Sequence, residues 1–165
     1  MRKMFRIVMP IQVVFVLSIL IFSVESCTQS IQILPSCQSR FTADDFLIEA
    51  NRIRYESELE ALTIDNALSK EAQKWAEYNS NAGEIVHYDE QGKGPLDRIK
   101  SAGINKKLVA QNIASMPILA TSKLVIQSWK SKKEEQNLVN PFYIKVGYGI
   151  ASLKNGCVMV ILLTD

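Results

Sequence analysis

The C-terminal end of this sequence constrains the fold most: Ile144 to Ser152 and Cys157 to Leu163 are two apolar, β-branched runs joined by Lys154-Asn155-Gly156. Asparagine before glycine between two such runs is the strongest short-range sign of a β-hairpin, because both residues tolerate the positive φ that a tight turn demands. Antiparallel strands at the end of the chain are therefore the first expectation.

Upstream the period changes from two to about 3.6. Thr42-Ala43-Asp44-Asp45 has the pattern of a helix N-terminus, with Thr42 as the cap. Phe46, Leu47, Ala50, Ile53 and Arg54 follow at helical spacing to about Tyr55. Residues 59–65 read as a connector. From Ala67, the positions Leu68, Ala72, Trp75 and Ala76 form one stripe on a second helix that Gly83 ends. Ile85 to Tyr88 is a short strand or a loop, and Pro95 with Gly103 brackets a two-turn helix from Leu96 to Ala102. Leu108 to Ala114 reads as a strand, and Thr121 or the next residue opens a helix whose apolar face carries Leu124, Val125 and Trp129. Helices before and between strands, closed by a hairpin, give an α+β layered domain.

The chain has 165 residues and supports one domain. Arg2, Lys3 and Arg6 precede an apolar run from Ile7 to Phe22, and Val24 and Ser26 are small enough to flank a cleavage site before Cys27. That order is expected of a secretory signal peptide over residues 1–26, followed by a tether at 27–40 and a domain at 41–165. An uncleaved anchor competes with this reading, as the run lies between h-region and spanning lengths. A lipoprotein-type signal ending at Cys27 is disfavoured by Glu25. Cleavage after Ser26 lowers 19 cations to 16 and 17 anions to 16, so the exported chain is formally neutral. Neutrality without a basic run excludes nucleic acid as an expected partner. Lys130, Lys132 and Lys133 read as a solvated helix end, with Glu134 and Glu135 following at once.

Three cysteines, Cys27, Cys37 and Cys157, allow one intramolecular disulfide in an oxidising compartment, and the sequence leaves all three pairings open. The pairing adopted as an expectation, Cys37 with Cys157, would join the start of the domain to its last strand. The chain-entropy model gives such a long loop about 3 to 5 kcal/mol.

Gln111-Asn112-Ile113-Ala114, Trp129, Asn140-Pro141 and Gly147-Tyr148-Gly149-Ile150-Ala151 follow in one order behind Asn51, Arg54, Trp75-Ala76 and His87. That order resembles the CAP superfamily of cysteine-rich secretory, venom-allergen and plant pathogenesis-related proteins over residues 44 to 161. The resemblance implies a three-layer α-β-α sandwich. It also implies a cavity where many members bring together two histidines and two glutamates, in some of them around a divalent metal.

By that resemblance His87 takes the place of the first histidine, Gln111 of the first glutamate and Ser131 of the second. Glu134, or less favourably Glu135, stands for the second histidine. One imidazole, one amide, one hydroxyl and one carboxylate are a poor zinc set, so no metal, no cofactor and no catalytic residue are expected. His87 is the chain's single histidine. Its plain alternative is a partly exposed loop residue, and that of Gln111 is a satisfied buried amide. Gly-x-Ser-x-Gly, Walker, Cys-x-x-Cys and His-Glu-x-x-His motifs are all absent.

The expected function is that of a secreted, non-enzymatic domain that binds a small lipid or sterol, or an extracellular protein partner, with no stable membrane insertion after cleavage. A metal-dependent or histidine-based hydrolase and a membrane-tethered structural protein are the alternatives.

Overall fold

The computed structural model describes residues 36–130 and 132–165. The expected signal peptide and the first part of the tether lie outside the described residues, as does Ser131.

One four-stranded sheet, in the order β1-β3-β4-β2, carries the domain. Its strands are β1 (Thr63–Ile64), β2 (Val109–Met116), β3 (Lys145–Leu153) and β4 (Gly156–Thr164). The expected hairpin is β3 and β4, paired antiparallel from Lys145↔Thr164 to Leu153↔Gly156. β4 lies in the middle, with β2 antiparallel on its other side, and every residue from Cys157 to Thr164 is buried. Burial on both faces explains the absence of polar alternation in this run.

The pleat divides β4 between two cores. Cys157, Met159, Ile161 and Leu163 meet Phe46, Ala50, Ile53, Val125, Ile126, Trp129 and Leu138 from α2 (Ala43–Glu56), α5 (Ser122–Trp129) and α6 (Lys133–Leu138). Val158, Val160 and Leu162 meet Leu68, Ala72, Trp75, Ala76 and Ile99 from α3 (Asn66–Ala82) and α4 (Pro95–Ser101). The architecture is the expected α-β-α sandwich. α3 lies directly on β3 because a Cβ at Gly147 or Gly149 would overlap the backbone of Leu68 or of Ala72 and Gln73.

Local chemistry sets the helix ends. Thr42 accepts from the Asp45 amide at 3.1 Å and donates its hydroxyl to the Asp45 carboxylate at 2.7 Å. Asp65 accepts from Ala67 and Leu68 at the start of α3, and Gly83 closes it at φ 71°.

Four expectations need correction. The tether is too long as drawn: Cys37–Arg40 forms a helical turn, α1, whose Cys37 is buried and disulfide-bonded to Cys157 across a Cα separation of 5.8 Å. The connector at 59–65 contains β1, which pairs in parallel with β3. The lysine patch does not only end a helix but opens one: Lys132 is the N-cap and Lys133 the first residue of α6, which the sequence pattern does not announce. The hairpin turn is made by Lys154 and Asn155, and Glu58 is the one described non-glycine residue with positive φ. Gly156 instead opens β4, where a Cβ would collide with the Met116 carbonyl. Its glycine serves close strand approach, and the primed turn that Asn-Gly suggests does not form.

Candidate functional site

A buried guanidinium joins the chain segments that lead into the site. Arg54 of α2 is fully buried and donates through Nε to the Glu60 carbonyl at 2.7 Å. One terminal nitrogen reaches Leu138 at 2.7 Å and Asn140 at 3.0 Å, and the other reaches Tyr143 at 2.9 Å. No described carboxylate forms an ion pair with it; burial holds its pKa below the ordinary arginine value, partly offset by Glu60. Four carbonyls, one from the loop after α2, one from the end of α6 and two from the loop after it, thus converge on one side chain. Asn51, nearly one turn earlier on α2, bonds both backbone groups of Leu62 and so holds the approach to β1.

His87 sits in the loop between α3 and α4, which three side chains tie down. Asn79 donates to the Trp75 carbonyl at 2.8 Å and accepts from the Val86 amide at 2.7 Å. The Trp75 indole donates to the Val86 carbonyl at 3.1 Å. Arg98 of α4 donates to the carbonyls of His87 and Lys93, each at 3.1 Å, with its guanidinium 3.5 Å from the centroid of the Trp75 ring. Trp75 stacks in turn on Tyr78 at 4.4 Å. Burial lowers the Arg98 pKa to about 10, against the pull of Asp89, Asp97 and Glu71, so the residue is a cation at neutral pH.

The third wall is α6. Asn112 of β2 donates to the Glu134 carbonyl at 2.8 Å and accepts from Asn137 at 2.7 Å, which seats the short helix against the strand. Without that clamp, six residues with Leu138 as their single buried side chain have little to fix them.

Between these walls lies a cleft of about 450 Å³, bordered by His87, Tyr88, Gln111, Glu134, Asn137 and Tyr143, among others. The structure therefore brings together three of the four residues expected from sequence. His87 Nδ1 is 3.0 Å from Gln111 Oε1. An amide oxygen only accepts, so Nδ1 carries the proton and Nε2 of the neutral ring is an acceptor. Gln111 is 8% exposed, and its Nε2 is buried without a hydrogen-bond partner. The satisfied buried amide expected as the plain alternative is thus only half satisfied. Tyr143 is also buried, and burial raises its pKa, so the phenol stays protonated at neutral pH.

Lys133, Asn137, Tyr143 and Tyr88 border the cleft without being among the sequence candidates. Lys133 and Asn137 needed α6 to be recognised, and Tyr143 is placed by Arg54. The amide-clamped imidazole, the neutral Gln111 and Glu134 do not fit a divalent metal, and no group of three His, Cys, Asp or Glu side chains converges among the described residues.

Residues 47–163 match the cysteine-rich secretory protein family, CAP. The chain belongs to that family. Among curated proteins, the uncharacterized protein YkwD of Bacillus subtilis is 30% identical over 100 residues, which is 60% of this CAP chain and 38% of YkwD. Solved structures share the fold. An outer surface protein of Borrelia burgdorferi superposes with a TM-score of 0.65 at 24% identity, over 75% of this chain and 94% of that one. An extracellular SCP-domain protein of Bacillus anthracis gives 0.58 at 18%, over 74% and 40%. The match thus spans well under half of YkwD and of the Bacillus anthracis protein.

Proposed function

We propose that this CAP domain is exported and acts by binding, with the His87–Gln111 cleft as a seat for an uncharged polar head group. The observation that carries the reading is the half-engaged amide: Gln111 Oε1 is committed to His87 while Nε2 is buried and unpartnered. An unmade hydrogen bond on a buried donor costs roughly 1 to 3 kcal/mol, which a ligand acceptor would recover. His87 Nε2 beside it accepts, so the pair complements a hydroxyl or an amide, each of which offers both a donor and an acceptor. Turnover is disfavoured because, among the described residues, the hydrogen bond that orients the His87 side chain comes from a neutral amide and not from a carboxylate.

Tyr88, Pro95, Val109 and Ala110 add apolar surface beside the polar pair. That lining favours a small ligand of the sterol or fatty-alcohol type, whose hydroxyl fits the pair and whose hydrocarbon part contributes roughly 25 cal/mol per Å² buried. Export is supported by the cationic start and apolar run at residues 2–22 and by the Cys37–Cys157 disulfide. The test is thermal unfolding against a panel of sterols, fatty alcohols and fatty acids. Neutral hydroxyl ligands are expected to raise Tm with concentration, and Gln111→Trp, which fills the cleft, should remove the shift. A flat response across the panel would overturn the lipid as the ligand, and a Trp variant that still responds would overturn the cleft as the seat. Intact mass of the exported chain tests cleavage near Ser26; a peptide beginning at Met1 in the membrane fraction would refute it.

A further inference from the structure

The wall residues of the cleft have a second meaning. Val109, Ala110 and Gln111 are consecutive on β2, so their side chains point alternately to the two sheet faces, yet all three border one cleft. Its other walls are α6 from one helical layer and the His87 to Pro95 loop from the other. A cleft with those walls runs along the open edge of the strand. β2 is the outer strand of the sheet, paired to β4 from Val109 to Met116 and to no strand beyond it. Among the described residues no other hydrogen bond reaches its backbone, so a row of amide and carbonyl groups is left unpaired.

Farther along the same edge, consecutive residues again border one hollow. Ala114, Ser115, Met116 and Pro117 form an apolar groove of about 450 Å³ with Leu119 and Leu124, and these two leucines are 72% and 54% exposed. Gln111 pairs with Leu162 and so faces the α3 and α4 layer, whereas Leu124 lies on α5 over the other face; the two hollows therefore call for strand side chains of opposite direction, about 10 to 17 Å apart.

We propose that the β2 edge binds an extended peptide of a partner protein as a fifth strand. The peptide's backbone would pair with β2, an amide or hydroxyl side chain would enter the cleft at Gln111, and an apolar side chain three or five residues away, pointing to the other sheet face, would fill the Leu124 groove. The occupant follows from complementarity. A row of unpaired strand backbone is matched along its length by another strand, the buried Gln111 donor lacks an acceptor, and both hollows are bordered by residues of that one strand. A sterol fits one hollow and leaves the edge bare. The inference rests on the binding reading of the cleft and narrows its ligand.

The experiment pans a library of randomised eight-residue peptides on the intact folded chain, then measures Kd for the enriched sequences by fluorescence polarisation. Enrichment of a polar amide or hydroxyl residue with an apolar residue three or five positions away is expected. N-methylation of alternate peptide amides should weaken binding at least tenfold, as should Leu124→Glu, whereas Tyr55→Glu on the exposed side of α2 should leave Kd unchanged. No enrichment, equal affinity of the N-methylated peptide, or indifference to Leu124→Glu would overturn the proposal. So would a dimer of the free chain that Leu124→Glu splits, since a second copy would then hold the edge. If the lipid panel shifts Tm and the library yields nothing, the edge proposal fails and the cleft reading stands.

Discussion

Arg54 and Gln111 are both long polar side chains withdrawn from water, and they have been treated oppositely by the fold. Every nitrogen of the Arg54 guanidinium has a carbonyl within 3.0 Å; Gln111 has one end bonded and one end bare. A fully answered polar group is a structural joint, because removing it orphans all its partners at once. A half-answered one contributes little to stability and keeps a hydrogen bond in reserve. Tyr143 spans both places: its carbonyl belongs to the Arg54 joint and its side chain borders the cleft.

Replacing Arg54 with alanine should be the most damaging single change, costing about 3 to 5 kcal/mol in urea unfolding, and Arg54→Lys should recover only part because one ammonium nitrogen with three donors cannot reach four carbonyls spread around a guanidinium. A loss below about 1 kcal/mol would erase the contrast. Asn112→Ala comes next. It frees α6 from β2 and should cost about 2 kcal/mol, with amide exchange rising first in residues 133–138; protection there equal to wild type would show that α6 stands without the clamp. Gln111→Leu removes the half-used amide and should change stability by less than about 1 kcal/mol in either direction while abolishing ligand-induced Tm shifts. A strongly destabilised Gln111→Leu would make the residue a second Arg54. Zinc should do least: calorimetric titration is expected to show no stoichiometric micromolar binding, and an isotherm of that kind lost in His87→Ala would show that this donor set does hold metal.

The same two residues mark how far the sequence could be read. Period and caps were enough for α2 and α5, since Thr42 and Thr121 act within a turn of themselves; period alone gave α3, whose cap Asp65 lay inside the expected connector. The β3–β4 hairpin was legible from composition, but the reason for Gly156 was not, because Met116 approaches it from a distant strand. β1 is two residues long and exists only through its pairing with β3. α6 carries one buried apolar residue, Leu138, and so shows no stripe to detect. At the site, the resemblance placed His87, Gln111 and Glu134 around one cleft. Which end of the Gln111 amide is answered depends on a loop held by Asn79, Trp75 and Arg98, and no spacing rule encodes that.

The Cys37–Cys157 bond also decides how the domain carries load. Tension applied to the chain ahead of Cys37 passes across the disulfide into β4 at once, bypassing everything between, for the bond closes a span of 120 residues. β4 is the strand with neighbours on both sides and a core on each face. A pull from the N-terminal side is therefore taken by the part of the molecule hardest to shear. The helices and the cleft are shielded from it, as cargo is from the tow line.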